Sequence, residues 1–178
     1  PYSDESLADL NAYNQIILET VGDLDCKLSI EPGRYLVGEA GILITRVIYI
    51  KQGEQKKFVI VDGAMNDLIR PTLYDGFHAI VPVTEKNLSS QKSLCDVVGP
   101  ICESGDYFAK DRMLPEVSQN DLLAITCSGA YGAVMASNYN SRPLIPEVLV
   151  SNDVFSVIRE RQAFEKIIQD EKLAAWLQ

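Results

Sequence analysis

The chain has few of the residues that bind zinc or nucleic acid. It contains one histidine, His78, and four cysteines without Cys-x-x-Cys spacing, so a usual zinc set cannot be completed. Lysine and arginine number 16 against 25 acidic residues, which leaves a formal charge of −9, and the basic residues are scattered. Because phosphate binding needs a basic face, the composition argues against nucleic acid as a partner.

Long apolar runs and targeting signals are also missing. No stretch approaches the roughly 18 apolar residues of a membrane-spanning helix, and no secretory pattern is present. Cysteine is a small fraction of the 178 residues, which favours reduced thiols in a cytoplasm over two disulfides. The chain begins Pro1-Tyr2-Ser3 without an initiator methionine, so we expect it to be a piece of a longer protein.

The first 38 residues predict the end of an α/β domain. Residues 3–21 have apolar side chains at helical spacing, with Ser3 as N-cap and Gly22 as the C-terminal stop. Residues 27–30 predict a short strand that ends at Pro32-Gly33. A lone α-β unit cannot bury its faces, so we expect an exposed apolar patch near residues 3–40, or a partner that covers it.

Residues 39–178 predict a complete β domain with a final helix. A hairpin is predicted from residues 42–50 and 58–61, with a turn at residues 52–54. Further predicted strands are residues 79–83, 92–98, 121–128 and 144–150, and predicted helical pieces are residues 67–69, 132–137 and 164–177. The regular turn spacing favours a β-barrel or sandwich, so the predicted fold class is mainly β with flanking helices.

A thiol stands next to a carboxylate at Cys102 and Glu103, just before a Ser-Gly pair suited to a tight turn. A free thiol can donate a proton at neutral pH, because its unperturbed pKa is about 8.5. The neighbouring carboxylate could hold a substrate ammonium. The structural alternative is that Cys102 is a small buried apolar residue, which we also predict for Cys26, Cys95 and Cys127.

Two strings with arginine allow both a structural and a functional interpretation. Glu-Pro-Gly-Arg at residues 31–34 can be a simple tight turn, or Gly33 can let a ligand approach while Arg34 binds a carboxylate or phosphate. Arg70 can be a solvated charge or a ligand-binding group near Tyr74. An irregular polar stretch at residues 62–67 precedes it, and such loops between strands often carry binding residues.

Tyr131 lies between two glycines, at residues 129 and 132. This pattern is typical of a turn or bulge at a strand end. It could equally direct the phenol hydroxyl at the phosphate or carboxylate of a ligand. We assign no functional role to His78.

Together these strings resemble the meso-diaminopimelate decarboxylases, pyridoxal-phosphate enzymes with the alanine racemase-like fold. The strings are residues 30–34, 61–67, 70–74, 98–106 and 129–132. The resemblance covers essentially the whole chain, as the C-terminal portion of such an enzyme. It implies that residues 1–38 are the last unit of a (β/α)8 barrel that carries pyridoxal 5′-phosphate. It also implies a homodimer with shared active sites.

The resemblance also implies a role for each candidate residue. Cys102 is similar to the family's proton donor, and Glu103 to its neighbouring substrate ligand; both are expected to reach into the partner subunit's site. Arg70 and Tyr74 are similar to substrate-binding residues. The residues expected at the cofactor are Glu31, Gly33, Arg34 and Tyr131, of which Arg34 and Tyr131 also contact substrate.

The implied reaction converts meso-2,6-diaminopimelate to L-lysine and carbon dioxide. The family's cofactor-binding lysine, ring-stacking histidine and Gly-rich phosphate loop lie upstream of the strings present here, so this chain alone is expected to be inactive. One alternative is a decarboxylase for another diamine or a carboxylated polyamine. Another is a standalone β domain that acts in binding or dimerisation.

Overall fold

The computed structural model describes residues 8–177, apart from the side chains of residues 86 and 87. The strands are β1 (Leu43–Gln52), β2 (Lys57–Val61), β3 (Ile80–Pro82), β4 (Lys92–Val98), β5 (Tyr107–Pro115), β6 (Leu122–Ile125), β7 (Glu147–Ser151) and β8 (Val154–Arg159). The α-helices are α1 (Leu10–Val21), α2 (Arg70–Tyr74), α3 (Glu85–Leu88) and α4 (Glu165–Ile168), and 3-10 turns cover Ala133–Met135, Tyr139–Ser141 and Ala175–Leu177.

Six strands form one strongly curved sheet in the order β3-β6-β1-β2-β4-β5. All neighbouring pairs are antiparallel except β2 and β4. The two edges of the sheet, β3 and β5, approach each other. The Arg112 guanidinium on β5 donates to the carbonyl oxygen of His78, two residues before β3, at 2.8 Å. The sheet is therefore a nearly closed barrel, and the predicted β-rich fold class is confirmed.

The barrel interior explains the spacing of apolar residues along the strands. On β1, Leu43, Thr45 and Val47 are buried while Ile44 and Arg46 are exposed, which is the two-residue period of a strand with one face in the core. Each fully buried branched side chain contributes roughly 1.5–3 kcal/mol. The largest fully buried side chains include Phe108, Leu68, Leu114, Leu123, Ile125 and His78.

His78 is a structural residue of this core. Its side chain is fully buried, and its Nδ1 donates to the Thr126 carbonyl oxygen at 2.9 Å. Burial lowers the pKa of the imidazole, and the nearby guanidinium charges of Arg70 and Arg34 lower it further. The imidazole ring is therefore neutral and packs in the barrel. Arg70 and Arg34 lie close enough to lower its pKa.

The hairpin of β1 and β2 and the strand at residues 92–98 agree with the sequence predictions. The helix predicted from Ser3 begins at Leu10 with Asp9 as its N-cap, and the predicted cap Ser3 lies outside the described residues. The predicted strand at residues 27–30 is absent, because no described strand pairs with this exposed segment. A strand needs a hydrogen-bonded neighbour.

The final helix predicted over residues 164–177 was also wrong. Only the short helix α4 and a 3-10 turn form there, because the apolar side chains of this segment find no core within the described chain; Trp176 is 86% exposed. A long helix in water needs such packing. The helical turn predicted at residues 67–69 lies slightly later, as α2, and strands β5 and β8 were not predicted.

The expected exposed apolar patch is present in the described part of the first 40 residues. Helix α1 buries none of its side chains, and Leu10, Tyr13, Ile16 and Leu18 are each about half exposed or more. Cys26 is exposed rather than in the core, and Cys127 is half-buried, whereas Cys95 is buried as predicted. Within residues 8–177, no helix has the length and apolar character needed to cross a membrane.

Candidate active site

The turn that carries Arg34 is docked against the segment that carries Tyr131. The Gly129 N–H donates to the Gly38 carbonyl oxygen at 3.1 Å, and the Ser128 N–H donates to the Gly41 carbonyl oxygen at 2.8 Å. A Cβ atom at Gly129 would collide with the Val37 carbonyl oxygen, so a glycine is needed for this close approach. The segments that carry Arg34 and Tyr131, which are far apart in sequence, therefore lie side by side.

Gly33 and Tyr131 meet at this contact. A Cβ at Gly33 would lie 3.1 Å from the Tyr131 hydroxyl oxygen, tighter than ordinary van der Waals contact. Tyr131 itself has φ +59°, the left-handed conformation that a tyrosine rarely adopts. Tyr131 is 43% exposed, and its hydroxyl oxygen lies beside the Gly33 backbone. Strained backbone of this kind concentrates at functional sites.

Arg70 lies between two tyrosine rings. Its guanidinium carbon is 5.9 Å from the ring centroid of Tyr74 and 5.9 Å from that of Tyr131, which is cation–π distance. The local sequence explains this placement, because Pro71 suits the first turn of α2 and Tyr74 follows one turn after Arg70 on the same face. We call Gly33, Arg34, Arg70, Tyr74 and Tyr131 the arginine cluster.

The loop at residues 99–106 is built around one buried carboxylate. Asp106 is 4% exposed, and its two oxygens accept the N–H groups of Ile101 at 2.6 Å and Met65 at 2.7 Å. Burial raises the pKa of Asp106, while the two backbone N–H bonds act in the opposite direction. A Cβ at Gly99 would collide with this carboxylate, so the glycine leaves space for it.

This loop presents Cys102 and Glu103 to solvent. Both side chains are exposed, so Cys102 is not the buried apolar residue of the structural alternative. One Glu103 carboxylate oxygen accepts the Gly105 N–H at 3.2 Å, and the other accepts the Tyr139 hydroxyl at 3.3 Å. We call Cys102, Glu103 and Tyr139 the thiol cluster.

A short connection joins the two clusters within one subunit. The Thr72 hydroxyl in α2 donates to the Gly105 carbonyl oxygen, and a Cβ at Gly105 would come within 2.8 Å of the Thr72 methyl group. Helix α2 carries Arg70 and Tyr74, whereas the loop carries Cys102 and Glu103. The positions of the substrate-binding candidates and of the proton-donor candidate are therefore linked by one side chain.

Sequence reasoning missed Tyr139 and the network that supports it. Arg142 donates to the Asn66 side-chain oxygen at 3.0 Å and to the Asp62 carbonyl oxygen at 2.7 Å, and it lies 3.8 Å from the Asp67 carboxylate. Burial raises the pKa of Asp67, and the Arg142 charge opposes this shift. The irregular polar stretch at residues 62–67 was the one feature of the sequence that pointed to this network. In the structure it anchors the loop that carries Tyr139.

Most of the candidate side chains are exposed, whereas Arg70 is half-buried. A cavity of about 220 Å³ lies beside α2 and β5, lined partly by Phe77, Tyr107, Lys110 and Arg112, and it contains none of the predicted site residues. Among residues 8–177, no group of three or more histidine, cysteine, aspartate or glutamate side chains could hold a metal ion. Another protein surface could therefore contact both clusters.

Replacing Asp106 with asparagine is expected to destabilise the protein by about 2 kcal/mol. The amide can accept only one of the two N–H bonds, from Ile101 or Met65, and its NH₂ group would face the other donor. Urea unfolding of the full-length protein measures the loss. The exposed Asp153→Asn change is the matched control, and equal stability of the two variants would contradict the structural role of Asp106.

Comparison with known proteins gives a consistent family assignment. Residues 8–129 match the family model described as pyridoxal-dependent decarboxylase, C-terminal sheet domain. Diaminopimelate decarboxylase of Zymomonas mobilis is 48% identical over 94% of this chain, and that of Neisseria meningitidis serogroup A is 49% identical over 96%. The chain spans only 39% and 41% of those two proteins, respectively.

A solved structure supports the same relationship. The crystal structure of diaminopimelate decarboxylase from Helicobacter pylori complexed with L-lysine superposes with a TM-score of 0.85 at 48% identity. The match covers 94% of this chain and 41% of that one. This chain therefore shares the fold of the part of that enzyme with which it superposes.

Proposed function

This chain belongs to the pyridoxal-dependent decarboxylases, as their C-terminal sheet domain, and on that premise we propose that the whole protein converts meso-2,6-diaminopimelate to L-lysine and carbon dioxide. The reaction would serve lysine biosynthesis. Relatives that share nearly half of their aligned residues with this chain are diaminopimelate decarboxylases. The chain by itself would be inactive, because the proposed reaction needs the cofactor-binding half as well.

The observation that carries the proposal is the arginine cluster, in which the Arg70 guanidinium lies at cation–π distance from the rings of Tyr74 and Tyr131. Each subunit also presents the Glu103 carboxylate on the loop tied to the same helix, and a dimer with shared sites would bring Glu103 of one subunit to Arg70 of the other. Meso-diaminopimelate has a carboxylate and an ammonium at each end. Arg34 and Arg70 would bind carboxylate groups, Tyr74 would add a contact to substrate, and Glu103 would bind the ammonium far from the reacting carbon.

The residues near Gly33 fit pyridoxal 5′-phosphate. Gly33 leaves space at the Tyr131 hydroxyl that a Cβ would fill, and the backbone, the hydroxyl and the Arg34 guanidinium offer donors suited to an anionic group. Glu31, Gly33, Arg34 and Tyr131 would hold the cofactor from this side. When bound, the cofactor supplies the electron sink that makes loss of carbon dioxide possible.

The Cys102 thiol would supply the proton in this reaction. After carbon dioxide leaves, the substrate carbon needs a proton, and the exposed Sγ atom can donate it from a loop whose backbone is fixed by Asp106. General-acid steps of this kind typically contribute 10²–10⁴-fold. Glu103 beside it would hold the substrate in the orientation for this transfer.

The proposal includes a homodimer with shared active sites, in which Cys102 and Glu103 act in the partner subunit's site. Both side chains are exposed, and the loop that carries them is rigidly held, which supports this arrangement. We further propose that residues 1–38 are the last unit of the (β/α)8 barrel and that residues 39–178 are the β domain. The four cysteines, none of which forms a disulfide in the described chain, fit the reducing environment of a cytoplasm.

An assay of the full-length protein tests the function. Incubation with meso-diaminopimelate should release carbon dioxide and L-lysine in equal amounts, with kcat/KM about 100-fold or more above that for L-ornithine, L-arginine or a carboxylated polyamine. The preference follows because only meso-diaminopimelate offers both charges at its distal end. Preference for one of the other amines would assign the protein to that reaction, and no turnover of any would favour a binding module.

A further inference from the structure

We propose that Tyr139 is a positioning residue whose hydroxyl holds the Glu103 carboxylate in the orientation that receives the distal ammonium of the substrate. The inference rests on the proposed function and goes further, because it names a residue that selects for this ammonium. Residues 138–143 lie between the predicted helical piece at residues 132–137 and the predicted strand at residues 144–150, and Tyr139 was assigned no role from the sequence. The hydroxyl contact is a feature of the folded structure alone.

Both oxygens of the Glu103 carboxylate are engaged. The Tyr139 hydroxyl donates to Oε2 at 3.3 Å, and the Gly105 N–H donates to Oε1 at 3.2 Å. An exposed glutamate otherwise moves among many rotamers, and fixing it on binding costs side-chain entropy. Two donors that hold the group beforehand reduce this cost.

Tyr139 is itself held by the loop around it. Its N–H donates to the Ser137 hydroxyl at 3.3 Å, and the Ser137 N–H donates to the Asn66 carbonyl oxygen at 3.0 Å. The Asn138 side chain donates to the Arg142 carbonyl oxygen at 2.8 Å and to Gln162 at 2.6 Å. These bonds hold the backbone of the loop that carries Tyr139 against the polar stretch at residues 62–67.

The protonation states suit this arrangement. The Glu103 charge raises the pKa of Tyr139, so the phenol keeps its proton and remains a donor at neutral pH. The Cys102 side chain raises the pKa of Tyr139 in the same direction. A carboxylate has about four lone-pair sites, so Glu103 can keep both donors and still accept an ammonium N–H.

The test compares two ligands that differ only in the ammonium of interest. L-Lysine carries a carboxylate and an ammonium at its α-carbon, whereas 6-aminohexanoate has the same carboxylate and chain without that ammonium. Calorimetry on the full-length holoenzyme gives the Kd of each, and kinetics give KM and kcat for meso-diaminopimelate. The variants are Tyr139→Phe, Glu103→Gln and both together, with Tyr49→Phe, at an exposed tyrosine of β1, as control.

Tyr139→Phe should weaken L-lysine binding about tenfold and raise KM for meso-diaminopimelate similarly, with kcat within about twofold. Binding of 6-aminohexanoate should change less than about twofold, which also shows that the variant is folded. Glu103→Gln should weaken L-lysine at least as much, and the double variant should be no worse than Glu103→Gln alone, because the hydroxyl acts through the carboxylate.

Two results would overturn the inference, and they are distinguishable. If Glu103→Gln weakens L-lysine selectively but Tyr139→Phe weakens both ligands equally or neither, the positioning role is wrong while the proposed site stands. If Glu103→Gln leaves L-lysine binding unchanged, Glu103 does not bind the ammonium, and both the proposed role of Glu103 and the inference fail.

Discussion

Cys102→Ala in the full-length protein is expected to lower kcat for meso-diaminopimelate by about 10²–10⁴-fold while the Kd for L-lysine changes little. The thiol is the proton donor in our account, and alanine has no proton to donate in its place. The loop backbone is held by Asp106 through the N–H groups of Ile101 and Met65, so loss of the Sγ atom leaves its conformation intact.

Steady-state kinetics with calorimetry separates these two effects. Cys26→Ala is the matched control, because Cys26 is also a free and exposed cysteine but lies outside both clusters. It should behave as the unaltered protein. An unchanged kcat in Cys102→Ala would exclude the thiol as donor, and a large loss of L-lysine affinity would instead indicate a binding role.

Arg70→Met is the second change with a large expected effect, a loss of about 10²–10³-fold in kcat/KM. Methionine has a similar chain length but no charge, so the substrate carboxylate would lose two hydrogen bonds to the guanidinium. The flanking rings of Tyr74 and Tyr131 orient the planar group, and lysine cannot reproduce that stacked geometry. Arg70→Lys is therefore expected to restore little.

Ligand comparison gives the control for Arg70. The variant should weaken L-lysine strongly but leave 1,5-diaminopentane, which has no carboxylate, nearly unaffected. Arg161→Met changes an exposed arginine outside both clusters and should have no effect on either ligand. Equal weakening of the two ligands by Arg70→Met would show that Arg70 supports the fold rather than the carboxylate.

The sequence predicted the parts of the fold where local pattern and burial agree. The hairpin of β1 and β2 has β-branched residues around a turn, and these side chains also fill the core. Strand β5 was missed because Lys110, Asp111 and Arg112 interrupt its apolar pattern. In the folded chain Asp111 has φ +49° and pairs with Lys56 at 2.8 Å, a contact that only tertiary structure reveals.

The predicted site residues were identified as separate strings, and their grouping is what folding adds. Arg70 meets Tyr131 because the segment after β6 docks on the turn after Gly33. Tyr139 reaches Glu103 across 36 residues through a 3-10 turn that no local pattern indicates. The helix predicted at residues 164–177 shows the opposite kind of error. Apolar residues at helical spacing did not form a long helix there, because they have no surface to pack against.

The central claim is that side chains of this chain complete active sites shared between two subunits. Mixing and reassociating equal amounts of full-length Cys102→Ala and Arg70→Met proteins tests it most directly. If Cys102 acts in the partner's site, half of the dimers are mixed and each has one intact site, so about a quarter of unaltered activity should return. Activity that stays at the level of the separate variants, with mixed dimers demonstrated by mass spectrometry, would contradict the claim.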